Sequence, residues 1–187
     1  MLYEGRATYI LGGNVTSMTS KVTIFTDGSC SYARGQSTGF GGWACILMWM
    51  GQKLELSGGA KETTNNRMEL MALIEALKAL IQGCEISLYT DSAYVITTLV
   101  NLSTVWKTGK FKTRTGDTPA NVDLIKELLK LKKIHTIHPH WVKGHAKSDK
   151  GGNVYNHRCD ELAYAAMCKI ANENGVKKDI RNRKDFK

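Results

Sequence analysis

The chain has 187 residues, 42% of them hydrophobic and only two prolines, which suffices for one compact domain with a substantial core. No apolar run approaches the roughly 20 residues of a membrane-spanning helix, the amino terminus lacks a secretory pattern, and five cysteines without C-x-x-C spacing point to neither a disulfide framework nor a zinc site. The formal charge of +9 favours a polyanionic partner such as nucleic acid. The protein is expected to be soluble, cytoplasmic and monomeric, without an obligate protein partner.

In chain order, residues 1–20 combine a short apolar patch with a Gly, Ser and Thr cluster and read as a loosely attached extension. The main domain is expected over 21–173. It opens with an alternating strand, "KVTIFTDGS", followed by "GGWACILMWMGQKLELSGG", two strands joined at a turn around Gly51, which together predict an antiparallel meander. A helix over Thr63 to Ile81 follows, then a strand "EISLYTDS", a helix "SAYVITTLVNL", and a Lys, Thr and Gly-rich excursion. The helix "NVDLIKELLKLK" precedes a strand "IHTIHPHWVKG", whose Pro139 argues for an edge or a bend. The last helix, "YNHRCDELAYAAMCKIANE", carries Cys159, Leu162, Ala163, Ala166, Met167 and Ile170 on one face. Residues 174–187 form a tail with six basic and two acidic side chains. Strands first, then strands alternating with helices, predict an α/β fold: a mixed sheet covered by helices on both faces.

Four carboxylates stand out. "IFTDGS" and "LYTDSA" share an aromatic-Thr-Asp ending, which places Asp27 and Asp91 at or near strand ends, where neighbouring strands bring them together. Each alone also reads as a turn residue, or for Asp91 as a helix cap. Glu69 falls in the middle of the apolar face of its helix, beside Leu73, Ala76 and Leu80, with no basic residue sharing that face. A capping box over Asn66 to Glu69 explains its presence but not its direction, because an ionised carboxylate on a buried face costs several kcal/mol, on the order of 3–5, unless compensated. Asp160 lies on the border of the apolar stripe of the last helix, whereas Glu161 points away; a solvated acid near a helix start is the alternative reading. Four such acids repel at close range unless divalent cations sit among them, and oxygen-only ligation points to Mg²⁺ or Mn²⁺. Two ions about 4 Å apart suit in-line displacement at a phosphodiester.

The blocks "FTDGSC", "TTNNRMELMALIEAL", "YTDSAYV" and "WVKGHA" followed by "NHRCDELAYAA" resemble, in order, the signature blocks of ribonuclease H type 1, from about Lys21 to Ala171. The resemblance implies the ribonuclease H-like fold, a five-stranded mixed sheet with three antiparallel strands and then parallel ones, flanked by helices on both faces. It implies a free-standing endonuclease that hydrolyses the RNA strand of RNA/DNA hybrids, leaving 5′-phosphate and 3′-hydroxyl ends, with two Mg²⁺ ions, or Mn²⁺ in their place, held by Asp27, Glu69, Asp91 and Asp160. His145 matches a loop histidine that passes protons or helps release the cleaved phosphate. Gly28, Asn65 and Asn66 match residues that contact sugars or base edges near the scissile bond, and Thr64 matches a donor to the DNA backbone, although a Thr and Asn run before a helix also reads as an ordinary cap. "WKTGKFKTRTG" matches the basic handle of bacterial members, interleaving Lys107, Lys110, Lys112 and Arg114 with Trp106 and Phe111; a solvated loop with locally packed aromatics is the alternative. The chain departs from the bacterial pattern in the loop after Asp27, at Ala93, and in the long connection from His145 to Asp160. DNA-acting integrases, transposases and junction nucleases share the carboxylate geometry, but the Thr-Asn-Asn run and the fourth acid separate this chain from them.

Overall fold

A computed structural model describes residues 20–32, 35–144 and 153–177. The elements run β1 (Ser20–Tyr32), β2 (Gly39–Trp49), β3 (Gln52–Thr63), α1 (Asn65–Lys78), β4 (Cys84–Thr90), α2 (Ala93–Ser103), α3 (Val122–Lys132), β5 (Thr136–Trp141) and α4 (Val154–Glu173). They build one five-stranded sheet in the order β3-β2-β1-β4-β5, antiparallel through the first three strands and parallel from β1 through β4 to β5. The expected mixed sheet is therefore present, and Pro139 lies on an edge strand, where its missing N–H is not required on the outer side.

The β2–β3 hairpin closes through Met50 and Gly51, between the paired Trp49 and Gln52. Both turn residues have positive φ, 46° and 76°, the conformation that matches the right-handed twist of the flanking strands.

Alternation along the strands divides the core. Val22 and Ile24 of β1, with Trp43, Cys45 and Leu47 of β2, face α1, α2 and α3, whereas Phe25, Ala44 and Ile46 face α4. Helices thus cover both faces. On the α4 side the helix backbone comes close to the sheet: a Cβ at Gly42 would strike the Ala163 carbonyl and the Met167 amide, and one at Gly59, its partner on β3, would strike Ile170.

That close approach rotates α4 relative to the stripe expected from sequence. Cys168 and Ala171 are buried, while Leu162, Ala166 and Ile170 are only half-buried. The rotation carries Asp160 from the border of the face into it, at 4% exposure. None of the five cysteines forms a disulfide. No helix among the described residues is long and apolar enough to cross a membrane.

Candidate active site

The carboxylates converge where β1 and β4 part. The two strands pair as far as Phe25 and Tyr89, and beyond this point each carries its acid two residues later, Asp27 on β1 and Asp91 just past the end of β4. The repeated aromatic-Thr-Asp pattern has a structural meaning here: Phe25 and Tyr89, one pleat below the acids, stack with ring centroids 5.1 Å apart. Tyr155 of α4 and His140 of β5 extend this row on either side, at 5.0 and 4.9 Å. One expectation needs correction, since Asp27 is not at a strand end. β1 continues past it to Tyr32, paired with β2, and the opening arises because β4 stops.

Glu69 enters from α1 on the other face. Gly28 makes this possible: a Cβ there would lie 2.5 Å from the Glu69 backbone nitrogen, so only glycine lets the first turns of the helix pack against β1. Asp160 arrives from α4. Ligand oxygens of Asp27, Glu69 and Asp91 all lie within 4.8 Å of one another, and Asp160 joins them in lining a cleft of about 620 Å³.

Structural alternatives for the acids do not hold. The cap of α1 is Thr64, whose hydroxyl accepts the Arg67 N–H at 3.3 Å, so Arg67 and not Glu69 occupies the capping-box position. The cap of α2 is Ser92, accepting from Val95 N–H, and not Asp91. Asp160 is buried, not a solvated helix-start acid.

The electrostatics of the cluster are unfavourable as they stand. Asp27 and Glu69 are 4% and 5% exposed, and Asp27 Oδ2 and Glu69 Oε2 are buried without a hydrogen-bond partner among the described residues. Burial, followed by the charges of Glu69, Asp91 and Asp160, pushes the Asp27 carboxyl well above the ordinary range, against the opposing pull of the Gly28 N–H at 2.7 Å. Burial and then the Asp91 charge raise Glu69 in the same way; hydrogen bonds from Gly28 and from the Asn65 side chain, at 3.4 Å, oppose the shift. An all-oxygen donor set with orphaned, buried lone pairs fits a hard divalent cation, whose charge would offset both the desolvation and the mutual repulsion.

The remaining expected residues fall into three groups. Gly28, Asn65 and Asn66 line the same cleft, with both asparagines exposed, and half-buried Thr64 adjoins it as the cap. Lys107, Lys110, Lys112 and Arg114 are exposed on the excursion after α2. The two aromatics behave differently. Trp106 is 7% exposed, sits in the core formed with α2 and α3, and donates its Nε1–H to the Lys112 carbonyl at 2.8 Å; Phe111 is half-buried against it. Trp106, expected with the handle's cations among the substrate contacts, is thereby corrected to the alternative of a locally packed aromatic: a ring this buried has no free face for substrate, and its work is to hold the excursion onto the domain.

His145 lies outside the described residues. The loop that carries it leaves β5 beside the acids, because Val142 N–H bonds the Thr90 carbonyl and a Cβ at Gly144 would overlap the Asp91 carboxylate. Cys30 and Tyr94 also line the cleft, beyond the residues expected there. Tyr94 stands three residues after Asp91 as the second residue of α2; that closeness to the acid along the chain is the signal the sequence offers for it.

A family model for RNase H matches residues 19–168. The chain is 45% identical over 154 residues to the ribonuclease H of Chlorobium phaeovibrioides, covering 81% of this chain and 99% of the relative. It is 44% identical over 147 residues to the ribonuclease HI of Brucella melitensis biotype 1, covering 79% of this chain and 90% of the relative. Among solved structures, LC9-RNase H1, a type 1 RNase H with the type 2 active-site motif, superposes with a TM-score of 0.69 at 23% identity, over 89% of this chain and 78% of its own. The N-terminal RNase H domain of rv2228c from Mycobacterium tuberculosis gives 0.59 at 23% identity, over 83% of this chain and 99% of that one; both are likenesses of fold. With a family model spanning most of the sequence, relatives matched over 99% and 90% of their own length and the sheet order described above, the chain belongs to the RNase H family, in its type 1 branch.

Proposed function

We propose that this protein is an endoribonuclease that hydrolyses the RNA strand of RNA/DNA hybrids by a two-metal-ion mechanism, leaving 5′-phosphate and 3′-hydroxyl ends. The observation that carries the reading is the set of acids brought to one cleft, with buried oxygens of Asp27 and Glu69 unsatisfied by any group among the described residues. Asp27, Glu69, Asp91 and Asp160 would hold two Mg²⁺ ions, with Mn²⁺ as a substitute. When bound, such a pair supplies the activation of water and the stabilisation of the leaving oxygen in an in-line displacement.

The protein's own groups do the rest. Asp27 on β1 and Asp91 after β4 are held at fixed spacing by the stacked aromatics beneath them, so the donor set is preorganised on the sheet. Asn65 and Asn66, exposed at the start of α1 beside Glu69, are placed to read sugars and base edges of the RNA strand, where a 2′-hydroxyl distinguishes RNA from DNA. The Gly28 N–H is taken up by Asp27 and Glu69, which leaves its carbonyl as the group for a sugar hydroxyl. Thr64 accepts from Arg67 N–H and keeps its hydroxyl proton for a phosphate of the DNA strand. Lys107, Lys110, Lys112 and Arg114 supply positive charge along the duplex backbone, with Trp106 and Phe111 as their support. His145 would shuttle protons or assist product release from its loop.

The test compares labelled RNA/DNA hybrid, duplex RNA and duplex DNA, each with and without Mg²⁺, and determines the product ends. Cleavage of the RNA strand of the hybrid alone, only with metal and with 5′-phosphate ends, is expected; metal-independent cleavage or equal cutting of duplex DNA would overturn the proposal.

A further inference from the structure

Tyr32, the last residue of β1, lies outside the cleft, yet its hydroxyl oxygen accepts the backbone N–H of Asn65 at 2.8 Å. Asn65 is the first residue of α1, so this is one of the helix-start donors that no intrahelical carbonyl can satisfy; the Thr64 cap takes that of Arg67 and leaves this one. The same asparagine donates its side-chain N–H to Glu69 Oε1. One hydroxyl therefore connects the end of β1 to the residue that steadies a buried carboxylate.

The junction needs such a tie. Glu62, two residues before the cap, has φ 50°, a left-handed conformation that an L residue with a side chain adopts at a cost and keeps only where its surroundings hold it. Around it, Cys30 Sγ donates to the Thr63 carbonyl at 3.5 Å, and Tyr32 and Thr63 pair with the same glycine, Gly39, on opposite sides of β2. The strand ends and the helix start thus meet at a strained corner. Of the groups there, the Tyr32 hydroxyl is the one bonded directly to the residue that adjoins Glu69.

We propose that Tyr32 is a positioning residue for catalysis: its hydroxyl anchors the Asn65 backbone, and through the Asn65 side chain orients Glu69 in the cleft. The inference rests on the proposed hybrid cleavage. Tyr32→Phe removes only the hydroxyl of a ring that is 45% exposed, so the fold is retained. In the variant, kcat falls roughly tenfold, as for a modest misplacement of a reacting group, while the Michaelis constant for hybrid is unchanged and the Mg²⁺ concentration for half-maximal rate rises. In an Asn65→Ala background the same substitution has no further effect on kcat, because the side chain that relays the position is gone.

Independently of turnover, amide hydrogen exchange followed by NMR should show the Asn65 N–H protected in the wild-type protein and fast-exchanging in Tyr32→Phe, with thermal unfolding unchanged. Unaltered kcat and metal requirement, additive losses in the double variant, or unaltered Asn65 exchange would overturn the proposal. If the wild-type protein fails to cleave hybrid, the proposed function falls, and the exchange experiment alone decides whether Tyr32 anchors the helix start.

Discussion

The cleft and the basic excursion after α2 carry charge in opposite ways. In the cleft the charged groups are inside: Asp27, Glu69 and Asp160 are each at most 5% exposed, and Asp27 Oδ2 and Glu69 Oε2 find no hydrogen-bond partner among the described residues. On the excursion the cations are outside, and the aromatics between them are turned in, with Trp106 at 7% exposure. The difference teaches what each region is for. A buried, uncompensated acid is costly, so its position is explained by a ligand, whereas an exposed lysine costs nothing and acts through long-range attraction that salt screens.

The largest effect expected to sharpen this contrast is Asp27→Asn. It removes a proposed ligand without touching the cations, so cleavage in single-turnover assays should fall by about three orders of magnitude or more, as when a centre of preorganised charge is broken, while hybrid affinity stays within a factor of about two. Substantial residual turnover would show that Asp27 is not part of the centre.

Next in size is the opposite manipulation. Replacing Lys107, Lys110, Lys112 and Arg114 together with glutamine should raise the Michaelis constant and flatten its dependence on salt, by up to about 0.9 in logarithmic slope for each phosphate that the protein no longer neutralises, with little change in kcat. An unchanged salt slope would mean that these side chains face only solvent.

Stability against pH separates the two regions without substrate. Asp27 and Glu69 have folded-state pKa values raised by burial and by their neighbours' charges. Above the ordinary carboxylate range, near ~4, the folded state therefore holds protons that the unfolded chain has released, and their contribution to stability declines as pH rises through the raised values. Glu55 and Asp123, lowered by hydrogen bonds from Lys53 and Arg158 and from Arg67, act in the reverse sense and lose their contribution as pH falls. The difference between wild type and Asp27→Asn isolates the cleft: in EDTA the variant should be the more stable at pH 8, with the gap closing toward pH 4, and Mg²⁺ should raise the melting temperature of the wild type more at pH 8 than at pH 5. A variant that is less stable than wild type in EDTA at pH 8 would contradict the picture of an uncompensated acid.

The smallest effect concerns the support of the excursion. Trp106→Phe loses the hydrogen bond to the Lys112 carbonyl and part of a buried ring, costing about 1–3 kcal/mol of stability, and should weaken hybrid binding less than removing the four cations. A loss of binding that exceeds the four-cation variant, without loss of stability, would show that the Trp106 side chain meets the substrate directly.

The contrast also explains what is legible in the sequence. Glu69 can be found because a carboxylate in the middle of an apolar helical stripe contradicts its own pattern, and the repeated aromatic-Thr-Asp marks its two partners on adjacent strands. The order of elements is legible for the same reason, since alternation and helical spacing are strong over β1 to β4 and α1. The burial of Trp106 is not, because composition shows that an aromatic lies among lysines but not which way it turns; that is decided by α2 and α3 beneath it. Asp160 reads as the edge of its helix face because the rotation of α4 depends on Gly42 and Gly59, distant residues whose missing side chains let the helix backbone down onto the sheet. The anchoring of Asn65 by Tyr32 joins residues 33 apart and has no local signature at all.

The central claim is that the acids of the cleft are held together as a site for divalent ions. A crystal of the protein with an RNA/DNA hybrid and Mn²⁺, in the Asp160→Asn form to slow cleavage, tests it most directly through the anomalous signal of manganese. Manganese peaks bounded by the oxygens of Asp27, Glu69 and Asp91, beside a phosphate of the RNA strand, are expected; an empty cluster with those side chains turned apart would contradict the claim.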